Sequence, residues 1–238
     1  MRAVLTNIVF FVVILASPAY AKNYKQPEPI LIEAIFDNEK KYCQGKMDER
    51  SVIITALHCV FGEGASKANS YSVYVGYEIT NMEISGKRYI IEPKDVIPQS
   101  NAVTYNFVDD TSLVGHDTAF LMSMELHGEM KSGNLPFEIV PYGNFVEEEP
   151  VFVSTPQDLI TCSYLEGSAP FFADCRKKVK KGHSGSPAYQ KNEDGSFRWV
   201  GLVSAVADLE SGRKDITVLQ YVHSEMFRES YVAAQETG

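Results

Sequence analysis

Residues 182–187 read Gly182-His183-Ser184-Gly185-Ser186-Pro187, residues 55–59 read Thr55-Ala56-Leu57-His58-Cys59, and His116-Asp117-Thr118-Ala119 lies between them. The first stretch has the small-residue packing of a tight turn that presents a serine hydroxyl. A serine is a poor nucleophile unless a base takes its proton, and a histidine serves as that base when a carboxylate orients its ring. His58, Asp117 and Ser184 supply these groups in the order histidine, aspartate, serine. They lie far apart along the chain, so only folding can bring them together.

Around these segments, short runs rich in β-branched and aromatic residues recur over 51–55, 71–77, 88–91, 118–122, 151–154, 197–204 and 217–221. Gly62-Glu63-Gly64 and Asn192-Glu193-Asp194-Gly195-Ser196 separate such runs with turn chemistry. The pattern predicts an all-β chain, a sandwich or a pair of barrels. Only the end reads as helical: Met226, Phe227, Tyr231 and Val232 form an apolar stripe, which places a helix over 223–234. The least patterned stretch, 127–136, contains Gly128, Gly133 and Pro136 and is the expected link between two halves spanning 30–127 and 137–222. The histidine and aspartate then fall in the first half and the serine in the second. Such a site assembles at the interface, where a cleft forms.

At the N-terminus, Arg2 precedes an apolar run over 8–16 and then Ala19-Tyr20-Ala21, the pattern of an export signal covering 1–21. That run is too short to span a bilayer, which takes roughly 20 apolar residues, so we expect the 22–238 product to be secreted or periplasmic, without stable membrane association. The full sequence has 22 basic and 31 acidic residues, a net charge of −9, and loss of the signal makes it more negative. This balance gives no electrostatic basis for binding nucleic acid. Four cysteines outside the cytoplasm imply two disulfides. Three pairings are possible, and Cys43 with Cys59 and Cys162 with Cys175 is the local choice, each bridge contributing about 3 kcal/mol in the chain-entropy model. His116, His127 and His223 show no metal-ligand spacing, and neither a metal nor a cofactor is expected.

These blocks carry a resemblance. Cys43-Gln44-Gly45 through Cys59, Asp117-Thr118-Ala119-Phe120-Leu121, Gly182 to Pro187 and Val200-Gly201-Leu202-Val203-Ser204 resemble, in order, the Cys-x-Gly to Thr-Ala-Ala-His-Cys, Asp-Ile-Ala-Leu-Leu, Gly-Asp-Ser-Gly-Gly-Pro and Val-Gly-Ile-Val-Ser blocks of trypsin-like serine proteases of the chymotrypsin superfamily. The resemblance implies two packed six-stranded antiparallel Greek-key β-barrels. It also implies Ser184 as nucleophile, His58 as general base and Asp117 as its orienting carboxylate. The backbone N–H groups of Gly182 and Ser184 would form an oxyanion hole, and Ser204 would support the aspartate. Protein or peptide substrates follow; the sequence leaves the oligomeric state open, with a monomer favoured.

The family pattern also breaks. His183 replaces the acid that pairs with a new N-terminus in animal digestive members, and Lys22-Asn23-Tyr24-Lys25-Gln26-Pro27 lacks the Ile-Val-Gly-Gly start. This resembles bacterial secreted members such as the glutamyl endopeptidase group, and it implies an enzyme that needs no second cut. Six residues before the nucleophile, where the family has the base of its specificity pocket, stands Lys178, within Arg176-Lys177-Lys178-Val179-Lys180-Lys181. A lysine there would favour an acidic side chain before the scissile bond, but we read the run first as a solvated loop. Val206 takes a wall position where the family often has glycine, which would narrow the pocket toward small or medium side chains. The alternative to catalysis is a silent, protease-like binding protein, because a fold can keep recognition after losing its chemistry.

Overall fold

The computed structural model describes residues 30–62, 66–80, 83–98, 117–132, 139–166, 171–180, 182–209 and 211–221. The expected signal at 1–21 and the expected helix at 223–234 lie outside these residues, as do His116, Lys181 and His223.

Thirteen strands are described: β1 (Ile30–Ile35), β2 (Lys40–Met47), β3 (Val52–Thr55), β4 (Ser70–Thr80), β5 (Glu83–Ile91), β6 (Val96–Pro98), β7 (Ala119–Met122), β8 (Val151–Ser154), β9 (Leu159–Glu166), β10 (Phe171–Asp174), β11 (Pro187–Lys191), β12 (Phe197–Ala207) and β13 (Ile216–Tyr221). The second half is a closed barrel in the order β10-β13-β12-β11-β8-β9. Where a six-stranded barrel was expected in the first half, its described residues form a seven-stranded sheet, half a barrel, in the order β5-β4-β1-β2-β3-β7-β6. Sheet closure depends on which edges meet across long sequence separations, and local patterning carries no record of it. Both halves contain a Greek key, since β4 returns beside β1 and β11 returns beside β8.

Period-two burial explains the strands. In β4, Tyr71, Val73 and Val75 point into the first core, and in β5 Tyr89 and Ile91 do the same. Val151, Val153, Phe171, Val200 and Leu219 pack in the second core. β3 is buried along its whole length because Ile53 faces the first core while Val52 and Ile54 face a third cluster. That cluster joins Val52, Ile54 and Phe120 to Tyr189, Trp199 and Leu202 and forms the seam between the halves.

Two short helices correct the expectation that only the C-terminal end is helical. α1 (Leu57–Val60) packs Leu57 and Val60 into the first core, and α2 (Met124–Lys131) occupies the start of the stretch read as an unpatterned link. Gly128 does not break α2, because Ser123 Oγ accepts the Leu126 N–H at its N-terminus and the Leu126 side chain is fully buried. Glu129 then docks the helix on β5 by accepting the Tyr89 hydroxyl at 2.6 Å.

Lys46 lies buried at the seam. Its ammonium donates to the Met47 carbonyl at 2.8 Å and sits 5.7 Å from the Trp199 ring centroid. Burial pushes its pKa down to about 8 against the upward pull of Asp48 and Glu49. A folded value below the ordinary lysine value penalises the folded state while that state holds the proton, and the penalty is relieved as pH rises from 8 toward 10.5. Lys46→Met is therefore expected to raise stability at pH 7 by on the order of 2 kcal/mol. Denaturant melts at several pH values should show the gain fading above pH 8.

Candidate active site

β3 ends at Thr55 and β7 begins at Ala119, and these two residues are antiparallel partners. The chain leaving β3 toward His58 therefore runs beside the chain entering β7 from Asp117. His58 sits on α1, whose next residue, Cys59, is bonded to Cys43 of β2. The second disulfide joins Cys162 to Cys175, so the local pairing is the one present, and among the described residues no cysteine is free.

His58 and Asp117 form a two-point contact. Nδ1 lies 2.9 Å from Asp117 Oδ2 and 3.1 Å from Oδ1, and the His58 backbone N–H donates to Oδ1 at 3.0 Å. The Asp117 side chain is 5% exposed and the His58 side chain 41%, so the carboxylate is sealed in while the ring has one open side. With Nδ1 turned to the acid, Nε2 is the nitrogen left for a proton from elsewhere. Burial alone would depress the imidazolium, but the charge and hydrogen bond of Asp117 outweigh it and raise the His58 pKa above 6.5, with Lys41 opposing. Burial likewise opposes the Asp117 charge, and His58, the Ser204 hydroxyl and the His58 N–H reverse that and lower its pKa below 3.8.

Ser204 reaches this acid because of an irregularity in β12. Val203 pairs with Leu219 and Ala205 with Val218, so Ser204 is the extra residue of a β-bulge. Its hydroxyl donates to Asp117 Oδ2. Its carbonyl faces the Ser184 hydroxyl at 3.4 Å, longer than an ordinary O–H···O hydrogen bond. Such a contact is weak, and a staggered χ1 rotation releases it. Among the described residues the Ser184 hydroxyl makes no hydrogen bond to His58, so the structure joins His58, Asp117 and Ser204 directly and places Ser184 beside them through Ser204.

The turn carrying Ser184 is locked into both halves. The Ser184 carbonyl accepts the Gln44 N–H of β2 at 2.7 Å, and Gly185 N–H donates to Val203 at 2.7 Å. Thr55 Oγ1 donates to the Gln44 carbonyl at 2.6 Å and secures that strand. Gly185 has φ +79°, and a Cβ there would lie 2.0 Å from the Gln44 oxygen and 2.5 Å from Thr55 Oγ1. Gly182 has φ +93°, and among the described residues neither its N–H nor that of Ser184 donates within the protein. His183 stabilises the turn locally: its Nδ1 accepts the Lys180 N–H at 3.3 Å, and burial with the Lys180 charge lowers its pKa.

The two pocket candidates differ in setting. Lys178 is exposed in the turn after Cys175, where Lys177 pairs with Asp215 at 2.8 Å, and the residue of this run that enters the core is Val179. Val206 is 39% exposed on β12, two residues beyond Ser204, and is the cross-strand partner of buried Thr217 on β13. Gln44, Thr55, Gly185 and Thr217 were not singled out from the sequence. The first three lie inside the motif blocks themselves, whereas Thr217 becomes visible only through strand register. Ligand atoms of Cys43, His58 and Cys59 lie within 4.8 Å of one another, but both sulfurs are consumed in a disulfide and offer no thiolate.

No family model matches the chain, and no curated protein matches it. Its fold is similar to that of the thermostable serine protease AL20 from an extremophilic microorganism, with a TM-score of 0.59 and 16% identity, covering 88% of this chain and 97% of that one. The protease Anisep from Arthrobacter nicotinovorans gives a TM-score of 0.61 at 13% identity, covering 87% and 95% of the two chains. A Glu endopeptidase solved in complex with MPD gives 0.60 at 14% identity, covering 86% and 90%. The chain thus shares the chymotrypsin-like fold of these structures. No helix among the described residues is long and apolar enough to cross a membrane.

Proposed function

We propose that this chain is an exported serine endopeptidase that works through an acyl-enzyme intermediate. The observation that carries the reading is the hydrogen-bonded His58, Asp117 and Ser204 set lying against the Ser184 turn at the seam of a chymotrypsin-like fold. Ser184 Oγ attacks the substrate carbonyl carbon while its proton passes to His58 Nε2. Asp117 holds the ring in the right tautomer and stabilises the imidazolium without taking the proton. The N–H groups of Gly182 and Ser184 receive the oxyanion, a contribution of roughly 3 to 4 kcal/mol per donor. His58 then protonates the leaving amine, and water entering in its place is activated by the same nitrogen to release the acid.

Two disulfides with no free thiol among the described residues suit an oxidising compartment, consistent with an export signal at 1–21. His183, a neutral turn acceptor in place of an acid, supports an enzyme active without a second cut. The test of the whole reading is covalent labelling by a fluorophosphonate. Wild type should be labelled, and Ser184→Ala should lose labelling completely while melting at a similar temperature. Failure of folded, disulfide-intact wild type to label would favour the silent binding protein.

Val206 and Thr217 share one face of the β12–β13 pair, because cross-strand partners point the same way. Val206 is the exposed residue of that face, with Thr217 buried beside it, and forms a wall suited to small or medium side chains before the scissile bond, while the exposure of Lys178 argues against its lying at a pocket base. Val206→Gly should raise kcat/KM for peptides with phenylalanine at that position, relative to alanine, by about tenfold. A wild type that cuts best after phenylalanine or tyrosine would defeat this assignment.

A further inference from the structure

The β4–β5 hairpin has a defect with a directed outcome. Val75 pairs with Lys87 and Glu78 with Ser85, so Gly76 and Tyr77 of β4 stand opposite the single residue Gly86 of β5. Two residues against one is a β-bulge, a device that redirects a side chain. Glycines permit it: Gly76 has φ +60° and Gly86 φ +125°, and a Cβ on Gly86 would lie 2.9 Å from the Tyr77 Cα.

The redirected side chain leaves the hairpin for β2. Tyr77 Oη donates to Gln44 Oε1 at 2.7 Å, and Gln44 is 2% exposed. Burial pushes the Tyr77 phenol up, so it remains a donor across the physiological range. Gln44 is also the residue whose N–H holds the Ser184 carbonyl and whose own carbonyl accepts Thr55 Oγ1 and blocks any side chain at Gly185. A continuous set of short hydrogen bonds therefore runs from the hairpin bulge to the backbone of the proposed nucleophile. None of its members belongs to the His58, Asp117 and Ser204 set.

We propose that Tyr77 is a positioning residue for Ser184, acting through Gln44 to hold the nucleophile turn at the depth in the seam where the hydroxyl can meet His58. This inference rests on the protease reading above. The tether fixes Gln44 from its side chain, so the strand carrying the Ser184 bond cannot rock on its main-chain contacts alone.

The experiment measures the maximal inactivation rate and the binding constant for a fluorophosphonate, with melting temperature, in wild type, Tyr77→Phe, Gln44→Glu, Gln44→Met and the Tyr77→Phe/Gln44→Met double variant. Tyr77→Phe and Gln44→Met should each slow inactivation by about fivefold while binding stays within about twofold of wild type. Gln44→Glu keeps an acceptor for the phenol and should restore most of the rate. The double variant should be no slower than the slower single, as expected for two ends of one bond. Wild-type rates in Tyr77→Phe, or losses that multiply in the double variant, would overturn the proposal. If Tyr77→Phe does not fold, equal rates in Gln44→Met and Gln44→Glu would overturn it instead. An unlabelled wild type would defeat the protease reading, an outcome distinct from a labelled wild type indifferent to Tyr77.

Discussion

Asp117→Asn is expected to slow fluorophosphonate labelling and peptide hydrolysis by about 10,000-fold with little change in substrate binding. The buried carboxylate receives the His58 ring and backbone N–H and the Ser204 hydroxyl. An amide of the same shape presents an N–H to one of these donors, turns the ring to the wrong tautomer and removes the charge that stabilises the imidazolium. The pH profile should move too. In the proposed mechanism His58 must be neutral to accept the serine proton, so the rate should rise with pH through its pKa. Burial lowers that value but Asp117 raises it by more, which places the wild-type midpoint above 6.5. In Asp117→Asn, burial and the Lys41 charge act unopposed, and the midpoint should fall below 6.5. An unshifted midpoint would separate Asp117 from the proposed general base.

The same pair links stability to pH in two windows. The folded His58 pKa is raised, so its contribution is complete below pH 6.5 and is lost as pH rises through the folded value. The folded Asp117 pKa is lowered, so its contribution is present above 3.8 and is lost as pH falls through the folded value.

The second large effect belongs to Gly185→Ala, which is expected to destabilise the fold by about 2–5 kcal/mol and to abolish labelling. At φ +79°, an added Cβ would lie 2.0 Å from the Gln44 carbonyl oxygen, a main-chain atom with no rotamer to yield. Relief requires β2 and the serine turn to separate, which breaks the Gln44 to Ser184 bond between the halves. Denaturant unfolding combined with labelling checks both parts. A variant as stable as wild type would mean that the seam is looser than these contacts imply.

The strand runs at 71–77 and 151–154 could be read directly because β-branched and aromatic residues alternate or cluster there, and they correspond to β4 and β8. The helix at Met124–Lys131 could not, since it is held by a serine cap, the buried Leu126 and the Glu129 bond to Tyr89, contacts that leave no helical stripe to read. His58, Asp117 and Ser184 stood out as candidates because each sits in a block of characteristic small and apolar neighbours. Tyr77 sits in no such block. Its importance depends on a bulge, and a bulge is defined by the partner strand.

Residue types, their order, the likeness to a protease family and the all-β character were available from the chain alone, because motif spacing and period-two burial are local properties. The seven-strand order of the first sheet, the bulged Ser204 that grips Asp117 and the hydrogen-bonded path from Tyr77 through Gln44 to Ser184 required the folded molecule. Each of these arises from strand register between distant segments, where a shift of one residue reverses the face a side chain occupies. No linear pattern encodes that register.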